Sequence, residues 1–303
     1  MAKTSLAQQV KRFIWFAQTI KDKPMSRTEI NGRWCASDLN EDHENAIPES
    51  TFYRWRTEVQ SLFDIDIECK NGKYYIANNG RQDEFRQWLI ESFSISNILK
   101  DSRELKNQIL FEPMDNRLLT DILEAMRDHK VLRITHEKFT DGEPETTTRM
   151  VKPYGLKQFK QRWYMVAEVK ERNNKVLAYS LDRITDLERT GDSFKMPDKF
   201  NIEKYFNNVY GITKPDYEPQ KVVVSVKNYQ ANYLRTLPLH SSQKEIKRDG
   251  DETVFSLYVY LTKDFVRELR AYGPELKVLE PKELRDELQE EAEELARYYK
   301  NVK

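Results

Sequence analysis

The sequence is poor in the features that mark most chemistries. It has two cysteines, Cys35 and Cys69, in 303 residues. Two thiols in a chain of this size make no disulfide framework and fit a reducing, cytoplasmic setting. Four histidines (His43, His129, His136 and His240) form no HExxH and pair with no CxxC, so no metal is expected. Nine glycines include no GxGxxG and no phosphate-cradling loop, and no nucleophile–base pattern is present, so neither catalysis nor a bound cofactor is expected. No run approaches the roughly 18 apolar residues of a membrane span, and the first residues, MAKTSLAQQVKRF, lack the apolar core of a secretory signal. Charge of one sign is lacking too. Fifty basic residues face fifty acidic ones, which argues against indiscriminate coating of nucleic acid but leaves room for a local basic face.

What is present is periodicity. Leu6, Val10, Phe13, Ile14, Ala17 and Ile20 lie at helical spacing, so residues 5–21 read as an amphipathic helix stopped by Pro24. Ser26-Arg27-Thr28-Glu29 is a capping box that opens a second helix to about Cys35. The polar stretch Ala36–Ala46 reads as a loop. Pro48, Glu49 and Ser50 open a third helix to about Phe63. Ile65, Ile67 and Cys69 then alternate, Asn71-Gly72 marks a hairpin turn, and Lys73–Ile76 return. Three helices and a hairpin in this order predict a winged helix-turn-helix over residues 1–79.

Residues 80–130 read as a helical connector, carried by Phe85, Trp88, Leu89, Ile90, Leu99, Leu105, Ile109, Leu110 and Leu118–Met126. From Val131 the period changes to two. Strands are expected at Val131–Glu137, Thr146–Val151, Trp163–Lys170, Val176–Ser180 and Thr185–Glu188. The turns fall to Gly142, Pro153-Tyr154-Gly155 and Asn173-Asn174. Five short strands in 131–195 predict a small barrel. After a linker (196–219), the order β-α-β-β-α-β plus a final charged helix in 220–303 is ferredoxin-like. The fold class is thus α+β multidomain.

Projected at 100° per residue, the third helix turns Phe52, Trp55, Val59, Leu62 and Phe63 inward. Ser50, Tyr53, Arg54, Thr57 and Ser61 take the outward arc. A helix fits the major groove, where Arg, Ser and Thr serve base edges and phosphates. Arg54 leads this candidate DNA-binding set of Arg27, Ser50, Thr51, Tyr53, Arg54, Thr57, Lys73 and Tyr75. A polar outer face is also what any amphipathic helix shows.

The most specific signature is Arg149-Met150-Val151-Lys152-Pro153-Tyr154-Gly155-Leu156, then Gln161-Arg162-Trp163-Tyr164-Met165-Val166-Ala167, then Tyr179-Ser180-Leu181-Asp182-Arg183-Ile184. It resembles the WYL domain, named for a Trp-Tyr-Leu run. Here Met165 takes the third position. The resemblance implies a transcriptional regulator with an N-terminal winged helix, an Sm/SH3-like WYL barrel that senses a ligand, and a C-terminal extension that helps form a homodimer. Relatives of this layout look like repressors of phage-defence operons, and repression of such an operon is the expectation the resemblance carries. The expected partners are double-stranded operator DNA and an effector at the barrel.

Arg149, Arg162 and Arg183 come from three segments and suit phosphate. Tyr154, Trp163, Tyr164 and Tyr179 offer stacking faces for nucleobases. His136 is placed to titrate or donate. An oligonucleotide, single strand or nucleotide therefore fits better than a sugar or an acyl chain. Each residue has a plainer alternative: Trp163 in the core, Arg183 paired with Asp182 or Asp186, Arg162 as a solvated turn residue, His136 as structural. Leu284, Leu288, Ala292, Leu295 and Tyr299 share one face of the last helix and pack on the C-terminal sheet or on a partner subunit. An RNA- or single-stranded-DNA-binding module without operator specificity is the alternative function; preference for one duplex site over random duplex separates the two.

Overall fold

The computed structural model describes residues 6–21, 23–40, 45–77, 86, 88–93, 95–96, 108 and 115–300. They divide into two compact units, Met1–Glu112 and Pro113–Lys303. Among the described residues no helix is long and apolar enough to cross a membrane.

The first unit contains α1 (Leu6–Lys21), β1 (Met25–Ser26), α2 (Arg27–Cys35), α3 (Glu49–Phe63), β2 (Ile67–Lys70) and β3 (Lys73–Ile76). The Ser26–Glu29 capping box starts α2, with Ser26 Oγ accepting from Glu29 N and the Glu29 carboxylate accepting from Ser26 N. The strands form a small antiparallel sheet in the order β1-β3-β2. Asn71 and Gly72 both take positive φ at the β2–β3 turn, as a two-residue hairpin requires. The core is aromatic: Trp34 meets Trp15 and Trp55 edge-on at 5.1 Å each, and Phe52 meets Phe16 at 5.2 Å and Tyr74 at 5.0 Å.

The projected helix face and the strand alternation each give out at one residue here. Leu62 is exposed, because the left-handed cap at Asp64 reverses the chain and lets Ile65 close the core instead. Cys69 is exposed because the hairpin tip runs past that core.

The second unit opens with α4 (Leu119–Arg127). A five-stranded antiparallel sheet follows: β4 (Lys130–Lys138), β5 (Glu145–Phe159), β6 (Arg162–Val169), β7 (Lys175–Ser180) and β8 (Ile184–Ser193). Its order is β7-β6-β5-β4-β8, so the last strand returns to pair with the first. Pro153-Tyr154-Gly155 is not a turn. It is a bulge inside the 15-residue β5, where the register against β6 shifts. The bulge absorbs Pro153, which has no amide hydrogen to donate. The missing Cβ of Gly155 leaves room for Ile202, whose Cδ1 would lie 2.8 Å from it.

About half of the stretch expected as a connector lies outside the described residues. Ile90 is buried in the first unit's core, whereas α4 buries Ile122 and Ala125 in the sheet's core. Phe85, Leu99, Leu105, Ile109 and Leu110 lie outside the described residues.

The chain then passes through the short helix α5 (Ile202–Tyr205) to β9 (Gln220–Lys227), α6 (Asn228–Thr236), β10 (Lys244–Asp249), β11 (Glu252–Val259), α7 (Lys263–Ala271), β12 (Leu276–Glu280) and α8 (Lys282–Lys300). These strands form one antiparallel sheet, β10-β11-β9-β12. Thr262 caps α7, its hydroxyl accepting from Phe265 N at 3.1 Å. Of the apolar stripe on α8, Leu284 is buried and Leu288 half-buried. Ala292, Leu295 and Tyr299 are exposed, so only the first two turns of that helix pack on the sheet.

The expected linker is a fastened strap. Lys157 donates to Gly211 O at 2.6 Å while its ammonium lies 3.8 Å from the Phe206 ring centroid. Tyr260 N donates to Asn208 O at 2.9 Å and Thr262 Oγ1 to Tyr210 O at 2.7 Å. Gly211 has φ +98°, and a Cβ there would run into the Asp264 carboxylate, which accepts from Ile212 N at 3.2 Å.

Gly211→Ala is therefore expected to destabilise the second unit by about 1–3 kcal/mol through backbone strain and the displaced carboxylate. A urea titration that returns the wild-type midpoint would refute the strap geometry.

Candidate functional site

The outward arc of α3 is as the helical projection requires: Ser50, Tyr53, Arg54, Thr57 and Ser61 are exposed, and Phe52, Trp55 and Val59 are buried. Thr51 is half-buried. Among these residues the local bonds differ. Thr57 Oγ1 donates to Tyr53 O at 3.1 Å, and Tyr75 OH to Glu68 at 2.5 Å. Arg27 joins the N-termini of α2 and α3 through Glu49 at 3.4 Å, and its guanidinium lies 5.8 Å from the Phe52 ring centroid. Arg56, which the projection did not single out, is held by Gln60 and by the Ile67 carbonyl. Arg54 differs from these neighbours: it is exposed and has no hydrogen-bond or ionic partner among the described residues. Lys73 is exposed on β3.

In the second unit the pairing of β4 fixes which side chains share a face, because residues directly opposite in an antiparallel pair lie on the same side. Leu132 faces Val151, Ile134 faces Arg149 and His136 faces Thr147. On the other flank His136 faces Ile184. Leu132, Ile134 and Val151 are fully buried in the core that α4 covers. One residue pair further on, the same face turns polar, with Arg149, Thr147 and His136.

At this polar end His136 is 8% exposed, and its ring meets Tyr179 edge-on at 5.1 Å. Its Nε2 is buried without a hydrogen-bond partner. Burial, reinforced by the Arg183 charge and opposed by Asp182, lowers its pKa to about 4. Tyr179 is also buried; burial raises its pKa, and Arg149 and Arg172 act in the opposite direction. Arg183 has its Nε buried and unpartnered, and its guanidinium lies 5.4 Å from the Phe139 ring centroid. Arg149 is half-buried and, like Arg183, has no hydrogen-bond or ionic partner among the described residues. The structure thus brings His136, Arg149, Tyr179 and Arg183 together.

The other three sequence-derived ligand residues lie elsewhere. Tyr154 is buried on the opposite face, against Phe200 at 5.1 Å and Phe194 at 5.8 Å, and its hydroxyl donates to Glu168 at 2.7 Å. The bulge in β5 puts it there, so it offers no stacking face to a ligand. Tyr164 lies opposite Ser180 and Lys157, on the other side of its strand from the core residue Met165, and is buried. Arg162 pairs with Asp182 at 3.3 Å beside a cavity of about 250 Å³ lined also by Asp115, Lys160, Gln161 and Trp163. Of the two carboxylates weighed as partners for Arg183, Asp182 is held by Arg162 and by the Ser180 hydroxyl, and no ion pair joins Arg183 to Asp182 or Asp186 among the described residues. Trp163 packs against the sheet's core, in keeping with its plainer reading.

Sequence reasoning missed Phe139 and Thr147. Thr147 becomes visible only through register. Phe139 had a signal, a large apolar residue at the end of a strand beside the turn residues Asp141-Gly142, and it is 62% exposed.

A five-stranded antiparallel sheet with a cationic end to one face is followed by a second, four-stranded antiparallel sheet with helices. Residues 117–189 match the WYL domain and residues 218–296 match the WCX domain. The chain belongs to the WYL-domain proteins. Two solved structures are similar to it. Proteasome accessory factor B/C (PafBC) of Arthrobacter aurescens has 16% identity and a TM-score of 0.35; the match covers 92% of this chain and 45% of PafBC, so this chain spans less than half of that one. A structure titled as that of a CRISPR Cas-related protein has 11% identity and a TM-score of 0.40, over 100% of this chain and 89% of that one. Likeness at this level transfers no function. A comparison with curated proteins finds no match.

The low pKa of His136 makes a pH prediction. Between about 4 and the ordinary 6.5 the unfolded chain binds a proton that the folded one refuses, so this group's contribution is full above 6.5 and is lost as pH falls toward 4. The loss amounts to up to roughly 3 kcal/mol. His136→Gln should show a shallower fall in stability across that window; an unchanged pH profile in urea titrations would remove the assignment.

Proposed function

We propose that the protein is a ligand-responsive, sequence-specific DNA-binding transcriptional regulator. In this reading the first unit is a winged helix-turn-helix that lays α3 in the major groove, with Arg54 at base edges or phosphates. Ser50, Tyr53 and Thr57 flank it, and Arg27, Lys73 and Tyr75 lie toward the backbone. The observation that carries the DNA half is the outward face of α3, where an arginine without a partner among the described residues stands among exposed hydroxyls, with the carboxylates of Glu49 and Glu58 at the edges of the arc. The hairpin β2–β3 after that helix supplies the wing.

The WYL sheet, read as an Sm/SH3-like barrel, is the sensor. Arg149 and Arg183 are cations without carboxylates beside a buried histidine, which favours a phosphate-bearing ligand of the nucleotide or nucleic-acid class. The C-terminal β-α-β-β-α-β domain, with β9 and β10 separated by β11 as in a ferredoxin-like sheet, serves dimerisation. A homodimer suits a pseudo-palindromic operator. Cytoplasmic location, repression, and a phage-defence operon as the target are parts of the reading that rest on the resemblance.

The test begins with fragments of the native genome selected on the purified chain. A regulator retains a discrete duplex site over random duplex, and Arg54→Ala weakens that site by about 1–3 kcal/mol in a gel-shift titration. Equal affinity for every duplex, with tighter binding to single strands, would instead establish the non-specific single-strand binder.

A further inference from the structure

Phe139 ends the β4 side of the β4–β5 hairpin at the mouth of the polar cluster. It is the most exposed phenylalanine among the described residues, at 62%. An exposed aromatic ring gains nothing from the core, and this one is not idle: it carries the Arg183 guanidinium at 5.4 Å. The stack orients a cation whose Nε is buried and unpartnered. Beneath it lies His136, more than nine-tenths buried, with Nε2 also unpartnered. The described residues hold three such orphaned buried side-chain atoms, and two of them lie in this one cluster. A buried polar atom left unbonded costs free energy that a ligand's own donor or acceptor recovers. Among the described residues neither Arg149 nor Arg183 forms an ion pair, and Asp182, whose charge reaches His136, is engaged by Arg162.

We propose that Phe139 is the base-reading element of this site: a nucleobase stacks on the Phe139–Arg183 pair while the adjoining phosphate is held between Arg183 and Arg149. The inference rests on the reading of this cluster as a site for a nucleotide or nucleic-acid ligand and adds the residue that reads the base of that ligand. Every nucleobase presents a π-face, so stacking selects for the presence of a base rather than its identity. His136 lies deeper and is uncharged near neutral pH, so it contributes a hydrogen bond and no charge. Sugar phosphates lacking a base meet the arginines alone.

Two fluorescent probes separate these contributions at fixed salt: a 5′-phosphorylated oligo(dT) of ten residues, and an abasic chain of the same length and charge. Wild type is expected to bind the first more tightly. Phe139→Ala should lower affinity for oligo(dT) on the order of tenfold and weaken the abasic probe by a clearly smaller factor, so that the preference for the base-bearing probe is lost. Phe139→Trp should restore the difference. Arg149→Ala/Arg183→Ala should lose both probes, which also assigns the binding to this cluster and not to the first unit. Competition by thymidine monophosphate would identify a mononucleotide as sufficient; failure to compete would make the ligand an oligonucleotide. If Phe139→Ala binds oligo(dT) as wild type does, the stacking role falls while the phosphate site stands. If wild type binds neither probe, or the arginine double variant binds both normally, the phosphate site itself falls.

Discussion

The second unit depends on the register of one strand. β4 pairs on both sides, with β5 and β8, and its alternation decides which residues enter the core. Leu132 and Ile134 are fully buried, and their neighbours Arg133 and Thr135 point away. A slip of one residue would put the whole apolar row in solvent, so the register is strongly specified. The next inward position is then His136, and the residue opposite Ile134 is Arg149. The cationic cluster is built as the continuation of a hydrophobic row, onto which α4 packs through Ile122 and Ala125.

Charge pairing sharpens the cluster. Elsewhere on the sheet several basic side chains have acidic neighbours: Arg133 with Glu188, Lys152 with Glu168, Arg189 with Asp128, Arg162 with Asp182. Exposed pairs of this kind add little stability, but they consume carboxylates. Asp182 stands next to Arg183 in sequence, yet Arg162 and Ser180 occupy it. Arg183 is left to stack on Phe139 and Arg149 to face Tyr179. In a chain whose formal charges cancel, a local excess arises because the pairing is uneven, not because the composition is basic.

How far the sequence reveals this depends on the interaction concerned. Local rules work where the determinant is local: the Ser26–Glu29 box, the Asn71-Gly72 turn and the Thr262 cap all occur where their residues stand. Strand existence is legible from period two. Strand extent is not, since β5 runs through Pro153-Tyr154-Gly155 by bulging, and the bulge turns Tyr154 to the opposite face. Aromatic chemistry alone gave Tyr154, Tyr164, Tyr179 and Trp163 similar standing. Register separates them and retains Tyr179. Leu62 shows the same limit on a helix, where the cap at Asp64 overrides the projected arc. The strap over 201–217 looks polar and linker-like because its fastenings are backbone carbonyls, which composition does not report.

The protonation state of His136 ties these threads to selectivity. A histidine near its ordinary pKa would give the cluster a third charge that fades across the physiological range. Here burial and the Arg183 guanidinium hold it neutral down to about pH 4, and arginine does not deprotonate in that range. The positive charge facing a ligand is therefore constant with pH and is contributed by Arg149 and Arg183. Ionic strength, not acidity, remains to modulate the attraction, and it does so weakly where the groups are partly buried. In the proposed sensor, such a site would register the presence of an anion under steady conditions rather than report a change in pH. On the proposed reading, specificity beyond charge would come from shape and hydrogen bonding, through the two orphaned nitrogens and the exposed ring beside the cluster.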